Sequence, residues 1–273
     1  MNVNLNQAIS YLLEGNVVAF PTETVYGLGG IWSNPDAIQK IYALKKRPAD
    51  NPLIAHISSL KMAKDLARHL PDSFYELAER YWPGPLTLVV PGKTQPSIAL
   101  RMPNHSMALE LISAVAEPLA APSANLSGRP SPTCAAHVAA DFPNLPILNG
   151  GACPLGIEST VISLLGDSPT ILRPGSFEID LPIEQNSHAS PGTRYRHYAP
   201  AVPLTLYTSL DQLISDESRP SVILSTQDLP LAHIRITPSN LYATLRSLTQ
   251  PAAVLCITKN LALYDRLIRA CQQ

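Results

Sequence analysis

The chain has 273 residues, 45% of them apolar and 15% charged, with a formal net charge of −1 at pH 7. That is enough apolar material to bury a sizeable core, which excludes a disordered chain and predicts one large domain, or a large one with a small one. No run approaches the ~18 uninterrupted apolar residues of a membrane span, and the first twenty residues lack the basic start and apolar centre of a secretory signal, so a cytoplasmic protein without membrane contact is expected.

The cysteines, Cys134, Cys153, Cys256 and Cys271, form no CxxC pair, which argues against a zinc ribbon or a disulfide framework and predicts buried thiols. Between Lys40 and Arg101 there are ten Lys and Arg against five Asp and Glu, a local excess of five positive charges. Such a skew suits a polyanion, either nucleotide phosphates or RNA, and equally suits a solvated surface.

In chain order, Leu5, Ala8, Ile9, Leu12 and Leu13 form a helical stripe closed by Gly15, and Val17 to Phe20 reads as a buried strand. Residues 21–30 read as a loop. Asn34 as N-cap and Pro35 in the first turn start a helix that carries Ile38, Ile41 and Tyr42 on one face. Strands follow at 53–57, 86–90, 98–102, 118–121, 146–148, 160–165 and 170–172, with helices at 59–69, 72–81, 106–116 and 133–140, the pattern of an α/β domain with a mixed sheet. The 27 prolines, about twice the usual ~5%, punctuate nearly every junction and predict short rigid loops.

From Ser168 to Pro203 the periodicity fades among six prolines. The reading is therefore a first domain over 1–175, a linker over 176–200 and a small domain over 201–273. The last has strands at 204–207, 222–225, 234–237 and 253–257, a helix at 211–215, a Ser239-capped helix to Leu248 and a final helix from Leu261, a Rossmann-like α/β unit.

The common catalytic signatures are missing. There is no GxxxxGK[ST] loop, Gly27-Leu28-Gly29-Gly30 has Trp32 where a dinucleotide fingerprint needs its third glycine, and neither GxSxG nor HExxH occurs. Present instead are short polar segments at the junctions of expected elements: Pro21 to Gly29, Lys45-Lys46-Arg47-Pro48, Asn51 to His56, Trp82 to Thr87, Leu100 to Pro103, Ala121 to Gly128, Gly156 to Val161 and Leu172 to Gly175. Small hydroxyl and amide residues fixed between prolines and glycines bind ligands at low entropic cost, and they are also ordinary turn formers.

In this order the segments resemble the Sua5/YrdC/YciO family over residues 5–200. The stretch Ser190-Pro191-Gly192-Thr193-Arg194-Tyr195-Arg196-His197-Tyr198-Ala199-Pro200 resembles the linker that distinguishes two-domain Sua5 proteins from single-domain YrdC, and Asn240 to Arg246 with Asp265-Arg266-Leu267 is a fainter echo of the Sua5 C-terminal domain. The resemblance implies a YrdC-like mixed twisted sheet with flanking helices. It also implies an L-threonylcarbamoyladenylate synthase, a nucleotidyltransferase that makes threonylcarbamoyl-AMP and pyrophosphate from L-threonine, bicarbonate and ATP with Mg2+. Downstream partners would be tRNA or a tRNA-modifying transferase complex.

By that resemblance Lys45 and Arg47 are the catalytic cations on the triphosphate. Alternation in an extended segment would put both on one face, whereas the competing reading is an exposed helix end. Asn51, Ser97, Ser123, Asn125, Ser131 and Arg173 resemble the other ATP contacts, joined by Tyr195 and His197 of the linker. Thr24, His56, the backbone at Ala121 and Ser159 resemble the threonine site, with Arg101 on the substrate carboxylate. Glu23 and Glu158 stay outside the core site, and no metal ligand is assigned to protein side chains. The linker is expected to fold over bound ATP. The alternative is a non-catalytic RNA-binding protein of the same family.

Overall fold

The computed structural model describes residues 1–48, 50–184 and 197–272. In chain order the first unit contains β1 (Asn2–Val3), α1 (Leu5–Leu13), β2 (Val18–Phe20), β3 (Gly27–Ile31), α2 (Pro35–Lys45), β4 (Ile54–His56), α3 (Leu60–Leu66) and α4 (Asp72–Tyr81). It continues with β5 (Leu86–Pro91), β6 (Ser97–Arg101), α5 (Ser106–Val115), β7 (Leu119–Ala120), α6 (Ala135–Asp141), β8 (Ile147–Leu148), β9 (Thr160–Ser163) and β10 (Thr170–Arg173). The strands form one mixed sheet in the order β1-β8-β2-β3-β7-β4-β6-β5-β9-β10.

Local sequence explains most boundaries. Asn4 and Gln7 close a reciprocal capping box on α1, and the Asn34 side chain accepts from the amides of Asp36 and Ala37 to start α2 ahead of Pro35. Alternation along β2 then separates the faces. Val18 and Phe20 join the cluster under α1 and α5, and Ala19 joins the one under α2 and α6. Farther along the sheet, Ala55, Leu88, Leu100 and Ile162 pack beneath α3 and α4. Each large side chain so buried contributes roughly 1.5–3 kcal/mol. The opposite face here carries only the small cluster Ile54, Val89, Ala99, Val161 and Leu172, and among the described residues no helix layer covers it.

The last four residues of the expected 21–30 loop are strand. β3 pairs antiparallel with β2, Val18 opposite Gly29 and Phe20 opposite Gly27. Its glycines dilute the strand signal because the Phe20 ring lies across them: a Cβ on Gly29 would sit 2.7 Å from a Phe20 ring carbon.

The segment after β10 does not leave the first sheet at once. Phe177 stacks on Tyr81 at 4.9 Å, Ile179 and Leu181 pack against the core under α4, and Ile183 bridges Ile171. Residues 185–196, most of the expected linker, lie outside the described residues.

The second unit is β11 (Leu204–Tyr207), α7 (Leu210–Ser215), β12 (Val222–Ser225), β13 (Ile234–Arg235), α8 (Leu241–Ser247), β14 (Ala252–Leu255) and α9 (Leu261–Cys271), around an all-parallel sheet in the order β11-β14-β12-β13. Asn240, not Ser239, is the N-cap residue of α8. Its side chain accepts from the Thr237 amide and Ser239 pairs with the Thr237 hydroxyl, so neither caps the helix. Cys134 and Cys271 are half-buried and not buried; all four thiols are free.

Candidate active site

A narrow cavity of about 60 Å³ opens on the uncovered sheet face, between the loop after β2, the ends of β4 and β6, the loops before α6 and β9, and the end of β10. Arg47, His56, Arg101, Ala121, Ser123, Ser159, Arg173 and His197 line it, eight of the residues expected from the sequence. Thr22, Val25, Glu158 and Tyr198 are also in the wall.

The two cations of the Lys45-Lys46-Arg47 segment are not on one extended face. Lys45 ends α2 and Lys46 turns left-handed at φ 50°, which sends Lys45 inward and Arg47 to the cavity. Lys45 is neither exposed nor in the cavity wall: its ammonium donates to the Ser123 carbonyl and, at 2.6 Å, to the Asn125 carbonyl. Burial first, then the Arg47 charge, pulls its pKa well below the usual lysine value. Arg47 is pinned by the carbonyls of Asn51 at 3.1 Å and Pro52 at 2.8 Å, and burial lowers it to about 10, so it stays cationic at neutral pH.

On the opposite wall, Arg101 reaches Glu23 at 2.8 Å and donates to the Thr24 hydroxyl at 2.9 Å. Thr22 gives its single hydroxyl proton to the Val25 carbonyl at 2.7 Å, so the 2.9 Å contact between the two threonines is a donation from Thr24 to Thr22. The Thr24 oxygen therefore has only an acceptor position left for a ligand. Arg101 already owns one internal carboxylate, and a substrate carboxylate would share it with Glu23.

His56 packs edge-on to Phe20 with ring centroids 5.7 Å apart. Burial, with Arg101 second, drives its pKa to about 3, so it is a neutral imidazole. Ser159 links Thr87 at 2.8 Å to Arg173, whose Nη2 also donates to the Ser159 carbonyl at 2.9 Å.

Asn51, Asn125 and Ser131 stand behind the wall. Asn125 Nδ2 holds the carbonyls of Leu126 and Arg129, and Ser131 donates to Glu158 at 2.6 Å. Ser97 lies apart, in an open groove with Asp50, Val89 and Ala99 that shares Pro52 with the cavity. Tyr195, Arg194 and Arg196 lie outside the described residues. Asn51 Oδ1, Asn125 Oδ1, Arg101 Nε and His197 Nε2 are buried with no hydrogen-bond partner among the described residues, and such orphans gathered around one cavity point to a polar ligand.

Residues 10–175 match the Sua5/YciO/YrdC family model, described as telomere recombination, and residues 160–271 match that of the threonylcarbamoyl-AMP synthase C-terminal domain. The chain belongs to the Sua5/YciO/YrdC family. A threonylcarbamoyl-AMP synthase of Bacillus subtilis is 46% identical over 226 residues, 73% of this chain and 65% of that protein, and one of Pyrococcus abyssi is 44% identical over 71% of this chain and 65% of its own length. The chain thus spans about two thirds of the length of these Sua5 relatives in the matched segment. The crystal structure of P. abyssi Sua5 complexed with L-threonine superposes with a TM-score of 0.85 at 33% identity, covering 99% of this chain and 97% of that one.

Within this Sua5-type chain, sequence reasoning left Glu158 aside and missed Tyr198, Tyr242 and Arg266. Tyr242 and Arg266 meet Glu158 across 84 and 108 residues of chain, a distance at which no local pattern signals contact.

Proposed function

We propose that this chain is an L-threonylcarbamoyladenylate synthase. The observation that carries the reading is the convergence of three arginines, Arg47, Arg101 and Arg173, with the small hydroxyls of Thr22, Ser123 and Ser159 around one cavity. The amine of L-threonine takes up bicarbonate with loss of water, and an oxygen of the resulting carbamate attacks the α-phosphorus of ATP. The bond to the β-phosphate oxygen breaks and pyrophosphate leaves. No enzyme nucleophile is consumed, so the chain's task is positioning and charge stabilisation.

Arg47 and Arg173 would bind the phosphates, with the Lys45-braced Ser123–Asn125 loop shaping that side and Ser97 in the adjoining groove. Thr24, His56, Arg101 and Ser159 would bind threonine, the Thr24 oxygen accepting from its ammonium or hydroxyl. Among the described residues no group of three or more His, Cys, Asp or Glu could hold a metal ion, and the two carboxylates of the site are paired, Glu23 with Arg101 and Glu158 with Arg266. Mg2+ would therefore enter as the MgATP substrate. The product would pass to the enzymes that modify tRNA.

The test is pyrophosphate release with MgATP, L-threonine and bicarbonate, each omitted in turn. Release that requires all three supports the synthase; release indifferent to threonine or bicarbonate rejects it.

A further inference from the structure

The second domain reaches the cavity wall through Tyr242 of α8 and Arg266 of α9, both wholly buried. The Tyr242 hydroxyl donates to Glu158 Oε2 at 2.6 Å, and Arg266 Nε donates to the same oxygen at 3.2 Å. The other carboxylate oxygen accepts from Ser131 at 2.6 Å. Arg266 also donates to the carbonyl of Pro174, next to Arg173, at 2.7 Å, and its guanidinium lies 5.6 Å from the ring of Tyr198. That ring stacks on Tyr242 at 5.4 Å. The domains meet closely here: Gly156, at φ +69°, approaches Ser239 so that a Cβ would stand 2.6 Å from the Ser239 carbonyl oxygen.

Glu158 and Arg173 both line the cavity. A buried carboxylate beside a buried guanidinium pairs with it unless another cation neutralises it first. Burial raises the Glu158 pKa, but Arg266 foremost, then Arg173, with hydrogen bonds from Ser131 and Tyr242, bring it down to about 2. Arg266 is the cation in direct contact, and Arg173 rests on Ser159.

Building on the synthase reading, we infer that Tyr242 and Arg266 are positioning residues for the nucleotide half of the site, holding and neutralising Glu158 so that Arg173 keeps its charge toward the cavity. The C-terminal domain is then a working part of the active site and not a separate module. Loss of Arg266 leaves Glu158 to capture Arg173, and the cavity loses a positive charge that phosphates need. Removing the Glu158 charge as well relieves that capture.

The experiment is calorimetric binding of MgATP, and separately of L-threonine, to the full chain and its variants. Arg266→Met is expected to weaken MgATP at least about tenfold while threonine stays within about threefold, and Arg266→Met with Glu158→Gln returns MgATP to within about threefold of the unaltered chain. If Arg266 serves only to dock the domains, the double variant binds MgATP no better than the single one, and threonine suffers equally; either result overturns the inference. Should Arg266→Met not fold, Tyr242→Phe, which removes one hydrogen bond to Glu158, decides: about threefold weaker MgATP binding supports the inference and unchanged binding overturns it. These are binding measurements, so they speak to positioning, whereas failure of the unaltered chain to release pyrophosphate speaks to the synthase reading alone.

Discussion

The Lys45 ammonium donates to the backbone carbonyl of Asn125 at 2.6 Å, from the end of α2 into the loop that carries Ser123 to the cavity. The lysine thus shapes the site by holding a loop, and because it is buried and outside the cavity wall its loss should cost stability as well as rate. Lys45→Met keeps the stem, leaves the buried Asn125 carbonyl without its donor, worth about 1–3 kcal/mol, and leaves the Ser123 carbonyl with the Asn125 amide alone. A fall of several degrees in melting temperature together with at least about tenfold slower turnover is expected. Slower turnover at unchanged melting would instead place the ammonium on the substrate.

Arg47 gives the contrasting case. It is half-buried, its contacts are carbonyls of its own loop, and its charge faces the cavity. Arg47→Ala should lower turnover about a hundredfold, the scale of losing a transition-state charge stabiliser, with melting nearly unchanged. Steady-state rates and a thermal melt on one preparation check both halves.

Arg101 meets Glu23 and Thr24 through one nitrogen, Nη2, and its buried Nε has no hydrogen-bond partner among the described residues. Arg101→Lys retains the charge but has no second planar nitrogen to offer a substrate carboxylate, so the KM for threonine should rise about tenfold or more while that for ATP stays within about threefold. Equal changes in the two would remove Arg101 from the threonine side.

Much of this site was legible in the sequence, because its residues sit in short proline- and glycine-bounded segments whose order along the chain is distinctive. Arg47, His56, Arg101, Ser159 and Arg173 are named through the family resemblance those segments carry, and all five line the cavity. The direction of Lys45 was not legible: it depends on a single left-handed residue, Lys46, that charge spacing does not reveal. β3 was hidden by glycines that Phe20 requires, and Glu158 by partners from another domain. The register of two long-range partners is a property of the packed fold, not of any window of sequence.

Buried groups set the response to acid, and His197, which burial lowers from 6.5 to about 4, acts in the same window as His56. His56 falls from 6.5 to about 3 and Glu158 from 4.5 to about 2 on folding, so in both cases the unfolded chain binds protons more readily. Their stabilisation is complete above the unfolded values and is lost as pH falls toward the folded ones, first from His56 below about 6.5, then from Glu158 below about 4.5. Between pH 7 and 5 His56 alone should remove about 2 kcal/mol. Urea unfolding at the two pH values checks this: His56→Gln should remove about half of the difference that His56 and His197 make together, and an undiminished slope would assign it to other groups.

The most direct test of the proposed reaction follows two labels into one product. The chain is given MgATP labelled at the α-phosphorus, [14C]bicarbonate and L-threonine, and the products are separated at short times before the adenylate hydrolyses. The account predicts a threonine-dependent species carrying both labels in equal amounts, matched by one pyrophosphate each. Labelled AMP that never carries carbon from bicarbonate, at any time and with threonine present, would contradict it.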